Sequence, residues 1–403
     1  MNKSYDVIII GGGIVGLSFA LTLAQATSEM KIAIIDQKPL IAPKLTKHYD
    51  SRVFAINLAS KQLFEHMHCF EAMAEQRISP YRSMYVWDGV AKGAIRFDAQ
   101  DVAQAELGFI IENQVILHSL YQQLAIQENI ELIDQTNIET IHTLENDGSE
   151  LIIEKDKSYT TQLLIGADGA QSWLRNQIKI PMTSWPYRHH ALVTTVNTEK
   201  SHQQTAWQCF TKEGPLAFLP LDDVTTCSIV WSVSEEKAKQ LQSISDQQFC
   251  SQLAQAFEYR LGSITHCQPR VIFPLSMRHA QAYVKPGIAL LGDAVRTIHP
   301  LAGQGLNLGL NDVACLSKII IRRFLQRKAI GSLKGLREYE RSRKSHNIAM
   351  ISLMETFKQT FDTHSSLIAQ LRSGGLNLSN QFPFAKRLMM QFAMGDVNEK
   401  HDI

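Results

Sequence analysis

Three carboxylates in this chain each stand at the end of a short apolar run: Asp36 closes "KIAIID" (31–36), Asp168 lies in "LLIGADGAQSWLR" (163–175), and Asp293 lies in "PGIALLGDAVRTIHPLAGQGLNLGLND" (286–312). A carboxylate at the C-terminal end of a strand can accept hydrogen bonds from ribose or polyol hydroxyls. Glycines gather near the same places: Gly11, Gly13 and Gly16 in a GxGxxG spacing, and Gly303 and Gly305 late in the chain. Such residues let the main chain approach a ligand closely. The chemistry this suggests is the binding of a long, hydroxyl-rich ligand along several backbone turns.

The elements that would position these groups follow from the apolar pattern. "YDVIIIGGGIVGLSFALTLAQ" predicts a buried strand (Asp6–Ile10), a glycine turn and a helix from about Ile14, after which "KIAIID" supplies a second strand ending in Asp36. Gly11 permits the tight turn, Gly13 lets the backbone reach a pyrophosphate at the helix N-terminus, and Gly16 lets helix and strand pack closely. The unit binds an adenine dinucleotide, with NAD and FAD both open. "LLIGADGAQSWLR" is a strand, a turn and a helix start, where Asp168 either caps the helix or lies beside a second stretch of the cofactor. "IALLGD" is a strand presenting Asp293, followed by a turn at His299-Pro300 and a helix entered through Gly303, Gln304 and Gly305. Backbone N–H groups around Gly305, Leu306 and Asn307 would be unpaired donors at a helix N-terminus, suited to negative charge on a reduced flavin ring.

GxGxxG early, GADGxxSxxR midway and GDAxxxxxPxxGQGxN late together resemble the class A flavoprotein monooxygenases, the FAD-dependent aromatic hydroxylases. "HPLAGQGLNLG" is similar to the signature of their ubiquinone-biosynthesis branch. The likeness extends through "SRVFAINLAS" (51–60), "LGFIIEN" (107–113), "FLPL" (218–221), "FPL" (273–275) and "YERSRKSHNIAM" (339–350). Within the branch, "SWLRN" (172–176), "HHALV" (189–193) and "CSIVWSVS" (227–234) look closest to the 2-polyprenylphenol 6-hydroxylases. The resemblance implies an α/β fold: a Rossmann-like FAD-binding domain, an inserted β-sheet substrate domain and C-terminal helices. It implies hydroxylation of a polyprenylphenol ring with O2 as co-substrate, through a flavin hydroperoxide. The alternatives are a sister hydroxylase acting on a later methoxylated intermediate, and a non-catalytic flavoprotein subunit of a ubiquinone-synthesis complex. The electron donor stays open between NAD(P)H and a reductase, since no second GxGxxG is present.

By the same resemblance, Gly11, Gly13, Gly16 and Asp36 hold the ADP half of FAD, and Arg52 pairs with its pyrophosphate. Asp168 and Asp293 bind along the dinucleotide, and Pro300, Gly303, Gln304, Gly305, Leu306 and Asn307 line the isoalloxazine. Gln114 stands where many relatives carry an arginine, and can hydrogen-bond the cofactor without neutralising phosphate. His299 and Pro300 are the candidates for contact with the reacting atoms, a purely turn-forming role for His299 being the alternative. Trp87, Phe218, Pro220, Trp231 and Phe273 are candidates for the hydrophobic substrate wall, or for ordinary sheet core. His189 and His190 lack helical i,i+4 spacing and a carboxylate cluster, so they read as structural and no metal site is expected.

Composition agrees with a globular enzyme and excludes little else. The chain has 403 residues, 45% hydrophobic and 20% charged, with a net charge of +1, which provides no field for nucleic acid. Six cysteines without CxxC spacing suggest free thiols in a reducing compartment. The glycine unit imitates a secretory signal but is explained as a nucleotide site, so a cytoplasmic protein is expected. The expected organisation is an FAD-binding domain of 1–180 and 270–330, a substrate sheet of 181–269 joined by 76–99, and a helical region, 331–403. Within the last, "LNLSNQFPFAKRLMMQFAMG" (376–395) would pack on the domain, touch a lipid surface or bind another ubiquinone-biosynthesis protein.

Overall fold

The structure, a computed structural model, describes residues 3–90, 93–144, 148–153, 157–297 and 304–362. Among these residues the strands form three sheets. The first is built on β1 (Lys3–Ile10), flanked by β2 (Ile32–Ile35) and β11 (Lys157–Gly166), all parallel. β8 (Ile130–Ile133) extends it beyond β2, and β19 (Ile288–Leu290) extends it beyond β11, again in parallel. β18 (Val284–Lys285) and a hairpin of β9 (Ile138–Thr143) and β10 (Ser149–Ile153) add antiparallel edges. Val7, Ile8 and Ile9 are completely buried, because helices cover the parallel sheet and its centre reads as an unbroken apolar run. Helix α1 (Ile14–Ala26) is apolar nearly all round and packs against α4 (Asn113–Leu124) and α8 (Gln304–Leu325), while α9 (Leu333–Asp362) packs on α8.

The second sheet runs in the order β20 (Arg296–Thr297), β17 (Val271–Ala280), β12 (Met182–Thr198), β15 (Thr226–Ser234), β14 (Gly214–Pro220), β13 (Thr205–Thr211), β5 (Ser83–Asp88) and β6 (Ala94–Asp98), with β16 (Ile264–Cys267) on β12. Two helices, α6 (Glu235–Ser243) and α7 (Asp246–Ala256), follow β15, and their apolar residues join the core on one face of this sheet. Strands β17 and β20, counted with the nucleotide-binding unit on sequence, belong here. β17 pairs with β12 and β20 pairs with β17, whereas β19, between them in the chain, pairs with β11. A small third sheet, β3 (Val53–Asn57), β7 (Gly108–Glu112) and β4 (Ile78–Tyr81), lies before α4. Helices α2 (Leu58–His66), α3 (Phe70–Ala74) and α5 (Trp173–Gln177) complete the set.

Candidate active site

Four turns meet around one cavity, and glycine makes each approach possible. Gly11 follows β1 with φ +111°, and a Cβ there would sit 2.5 Å from the Ala167 carbonyl oxygen. At Gly16 a Cβ would lie 2.0 Å from the Gly11 carbonyl oxygen, so any side chain would push α1 away from the loop. Gly13 caps α1 in extended conformation without a side-chain cap, and no acidic residue stands in the first turn. The first N–H groups of α1 therefore keep their partial positive charge for a ligand. Asp36 is held by this loop: its Oδ2 accepts from the Gly12 N–H at 2.7 Å and its Oδ1 from the Lys38 N–H at 2.8 Å.

The second turn follows β11. Asp168 Oδ2 accepts from the Leu174 N–H at 3.1 Å in the first turn of α5, whose N-cap is Ser172, while among the described residues its buried Oδ1 has no partner. The helix-bonding and ligand-facing readings of Asp168 thus involve different oxygens. Arg175, from the same motif, is buried and donates to the Ala294 carbonyl at 3.0 Å and the Ala170 carbonyl at 3.1 Å, tying this turn to the third.

In the third turn, Gly292 has φ +60° and packs against Val15 at the start of α1. Burial pushes the neighbouring Asp293 carboxyl above its ordinary range, with Arg296 and Arg52 acting against that rise. Behind it the fully buried Asp312 accepts from Arg296 Nη1 at 2.5 Å, Arg343 Nε at 2.9 Å and the Gly292 N–H at 3.2 Å. This cluster fixes the third turn to α8 and α9. Its membership could not be read locally, because its residues lie far apart in the chain.

The fourth turn is the start of α8. A Cβ on Gly305 would meet no atom of the described residues within 4 Å. Asn307 is buried and faces away from the cavity: its Nδ2 donates to the Ala55 carbonyl at 2.8 Å and its Oδ1 accepts from the Asn57 N–H at 3.2 Å. It clamps α8 to β3, the strand that follows Arg52, instead of lining the ring site as expected. Asn307→Ala removes both bonds, and we expect a loss of about 1–3 kcal/mol of stability, measurable in urea unfolding.

The cavity enclosed by these turns and the second sheet has a volume of about 1280 Å³. Of the residues expected at a ligand, Gly11, Gly13, Asp36, Arg52, Asp168, Asp293, Gly305, Leu306 and Phe273 line it. Gly16 acts behind the loop. Gln114 is absent from the lining and Asn113 takes the place next to it; the Gln114 N–H donates to Asp50 Oδ2 at 3.3 Å. His299, Pro300 and Gly303 lie outside the described residues, as does the 376–395 segment, and Gln304 is described only as the first residue of α8.

The substrate wall needs a larger correction. Trp87, Phe218 and Trp231 are buried on the opposite face of the second sheet, where Phe218 stacks on Phe257 at 3.7 Å and Trp87 lies 5.1 Å from the same ring. Pro220, on the same strand and in phase with Phe218, is buried and does not line the cavity. Strand side chains alternate between faces, so the neighbours Ala217, Leu219, Val230 and Val193 are the ones that line it, with Tyr81, Met84 and Phe97 from the chain before β7. The alternating pattern was visible in "CSIVWSVS"; which phase faced the helices was not.

A parallel sheet with a glycine-rich β1–α1–β2 unit, sharing one cavity with a second, largely antiparallel sheet, defines an FAD-dependent monooxygenase fold. Solved structures agree: a probable FAD-dependent monooxygenase, PqsL, from Pseudomonas aeruginosa superposes with a TM-score of 0.76 over 93% of this chain and 99% of its own, at 18% identity. The p-nitrophenol 4-monooxygenase PnpA from Pseudomonas putida gives 0.76 over 97% and 98%, at 15% identity. A family model described as "FAD binding domain" matches residues 99–353. The human ubiquinone biosynthesis monooxygenase COQ6 is 31% identical over 96% of this chain and 92% of its own length. The 3-demethoxyubiquinol 3-hydroxylase of Escherichia coli is 33% identical over 98% and 99%. The chain belongs to the FAD-dependent monooxygenases of ubiquinone biosynthesis, and is an aromatic-ring monooxygenase using FAD and O2.

Proposed function

We propose that this enzyme hydroxylates the aromatic ring of a polyprenylphenol. The observation that carries the reading is the continuity of one cavity, from the α1 N-terminus to the apolar face of the second sheet. FAD fits the residues present: a glycine cradle that a side chain would fill, an uncapped helix N-terminus, and open space at Gly305. In this reading Gly11 and Gly13 receive the pyrophosphate with Arg52 beside it. Asp36 faces the adenosine ribose, and Asp168 and Asp293 face the remaining hydroxyl groups. Gly305 and Leu306 would hold the flavin ring, and the N–H groups at the start of α8 would favour negative charge on it. When bound, FAD supplies the activation of O2 and the transfer of one oxygen atom to the ring. The chain's own part is to orient the phenol and to keep water out with Leu219, Val230 and Met84.

A second reading, hydroxylation of a later methoxylated intermediate, is favoured by the full-length likeness to the 3-demethoxyubiquinol 3-hydroxylase. A polyprenyl tail also makes a membrane surface or other pathway proteins natural partners, and among the described residues no helix is long and apolar enough to cross a membrane. Lipid mass spectrometry on cells lacking the gene separates the readings. Accumulated 2-polyprenylphenol is the expected result. A methoxylated intermediate moves the enzyme to the later step, and unchanged quinone intermediates contradict both.

A further inference from the structure

The cavity face of the second sheet carries two hydroxyl groups that the fold leaves without a partner. Ser228 on β15 and Thr195 on β12 stand directly opposite each other in the antiparallel register, so their side chains share one face. That face is the cavity side, because Cys227, Ile229 and Val196, the residues between, belong to the core on the other side. Ser228 is 0% and Thr195 2% exposed, and among the described residues neither hydroxyl oxygen has a hydrogen-bond partner. Ser228 lines the cavity, as does Gln208 on β13, whose amide bonds to no described residue. Around them the wall is apolar, made by Ala206, Ala217, Leu219 and Val230.

A buried hydroxyl is ordinarily paired, and an unpaired one is a cost to the fold. Hydrocarbon gives such groups nothing, whereas a phenolic hydroxyl both donates to and accepts from them. Resting on the aromatic-ring reading above, we infer that Ser228 and the Thr195 opposite it form the subsite for the oxygen-bearing edge of the substrate ring. They thereby determine which ring substituents are accepted.

The test uses FAD-loaded protein and two probes, a short-chain 2-alkylphenol and the alkylbenzene with the same chain, with dissociation constants read from perturbation of the flavin spectrum. Wild type should prefer the phenol. Ser228→Ala should weaken phenol binding about tenfold, about 1.4 kcal/mol, with alkylbenzene binding changed less than about twofold. Thr195→Val should act in the same direction. The melting temperature of Ser228→Ala should not fall, since its hydroxyl satisfies nothing in the fold; a merely structural serine would lower it. An unchanged phenol-to-alkylbenzene ratio in both variants would overturn the subsite and leave the monooxygenase reading standing. A wild-type protein that binds FAD and neither probe would overturn the substrate reading together with the subsite.

Discussion

Gly305→Val should fold like the wild type and purify without flavin. The position lines the cavity, yet a Cβ there meets no atom of the described residues within 4 Å, so a branched side chain projects into space the ligand would need. The protein itself is barely penalised, since valine is no worse than glycine in a helical turn. We expect FAD affinity to fall on the order of 100-fold or more, about 2.7 kcal/mol, with the urea midpoint unchanged. Gly16→Val provides the contrast. Its Cβ would lie 2.0 Å from a backbone oxygen, so loss of flavin there should come with loss of stability. The measurement is flavin absorbance per protein after reconstitution, beside an unfolding curve. A Gly305→Val protein with full flavin content would refute the placement of the ring against the start of α8.

Asp312→Ala should be among the most damaging substitutions to the fold. Burial works against the Arg296 charge, but the Asp312 carboxylate outweighs it and holds the guanidinium above its usual value. Arg343 shares the same carboxylate from α9. Removing one partner of a buried pair costs about 3–5 kcal/mol, because the remaining charge has no compensation. Here two cations are left, together with the Gly292 N–H that orients the Asp293 turn. That is a large part of the ~5–15 kcal/mol by which domains are ordinarily stable, so the expected outcome is poor soluble yield and no retained flavin. A urea-unfolding loss below about 1 kcal/mol would show that the cluster does not hold the site together.

The glycine-rich end of the cavity was legible from the sequence because its signals are local. A continuous apolar strand, a glycine turn and an apolar helix fixed β1, α1 and the place of Asp36 within one short stretch. The turns at Asp168 and Asp293 were legible for the same reason. Residues that act across the fold were not. Asn307 sits in the most recognisable motif of the chain, yet its side chain serves β3, because the direction of a side chain in the first turn of a helix depends on what packs beside it. Arg296, Asp312 and Arg343 each look ordinary in sequence and become a cluster only when α8 and α9 pack. On the second sheet the large aromatics drew attention as a substrate wall, but α6 and α7 cover their face, which leaves smaller residues such as Ala217 and Val230 to form the cavity.

Turnover of the FAD-loaded protein with a 2-alkylphenol under isotopically heavy dioxygen, with the flavin reduced by NADPH or, failing that, photochemically, tests the central claim most directly. The account predicts a ring-hydroxylated product whose new oxygen carries the heavy label. An unlabelled product, or consumption of dioxygen that yields only hydrogen peroxide and no hydroxylated phenol, would contradict it.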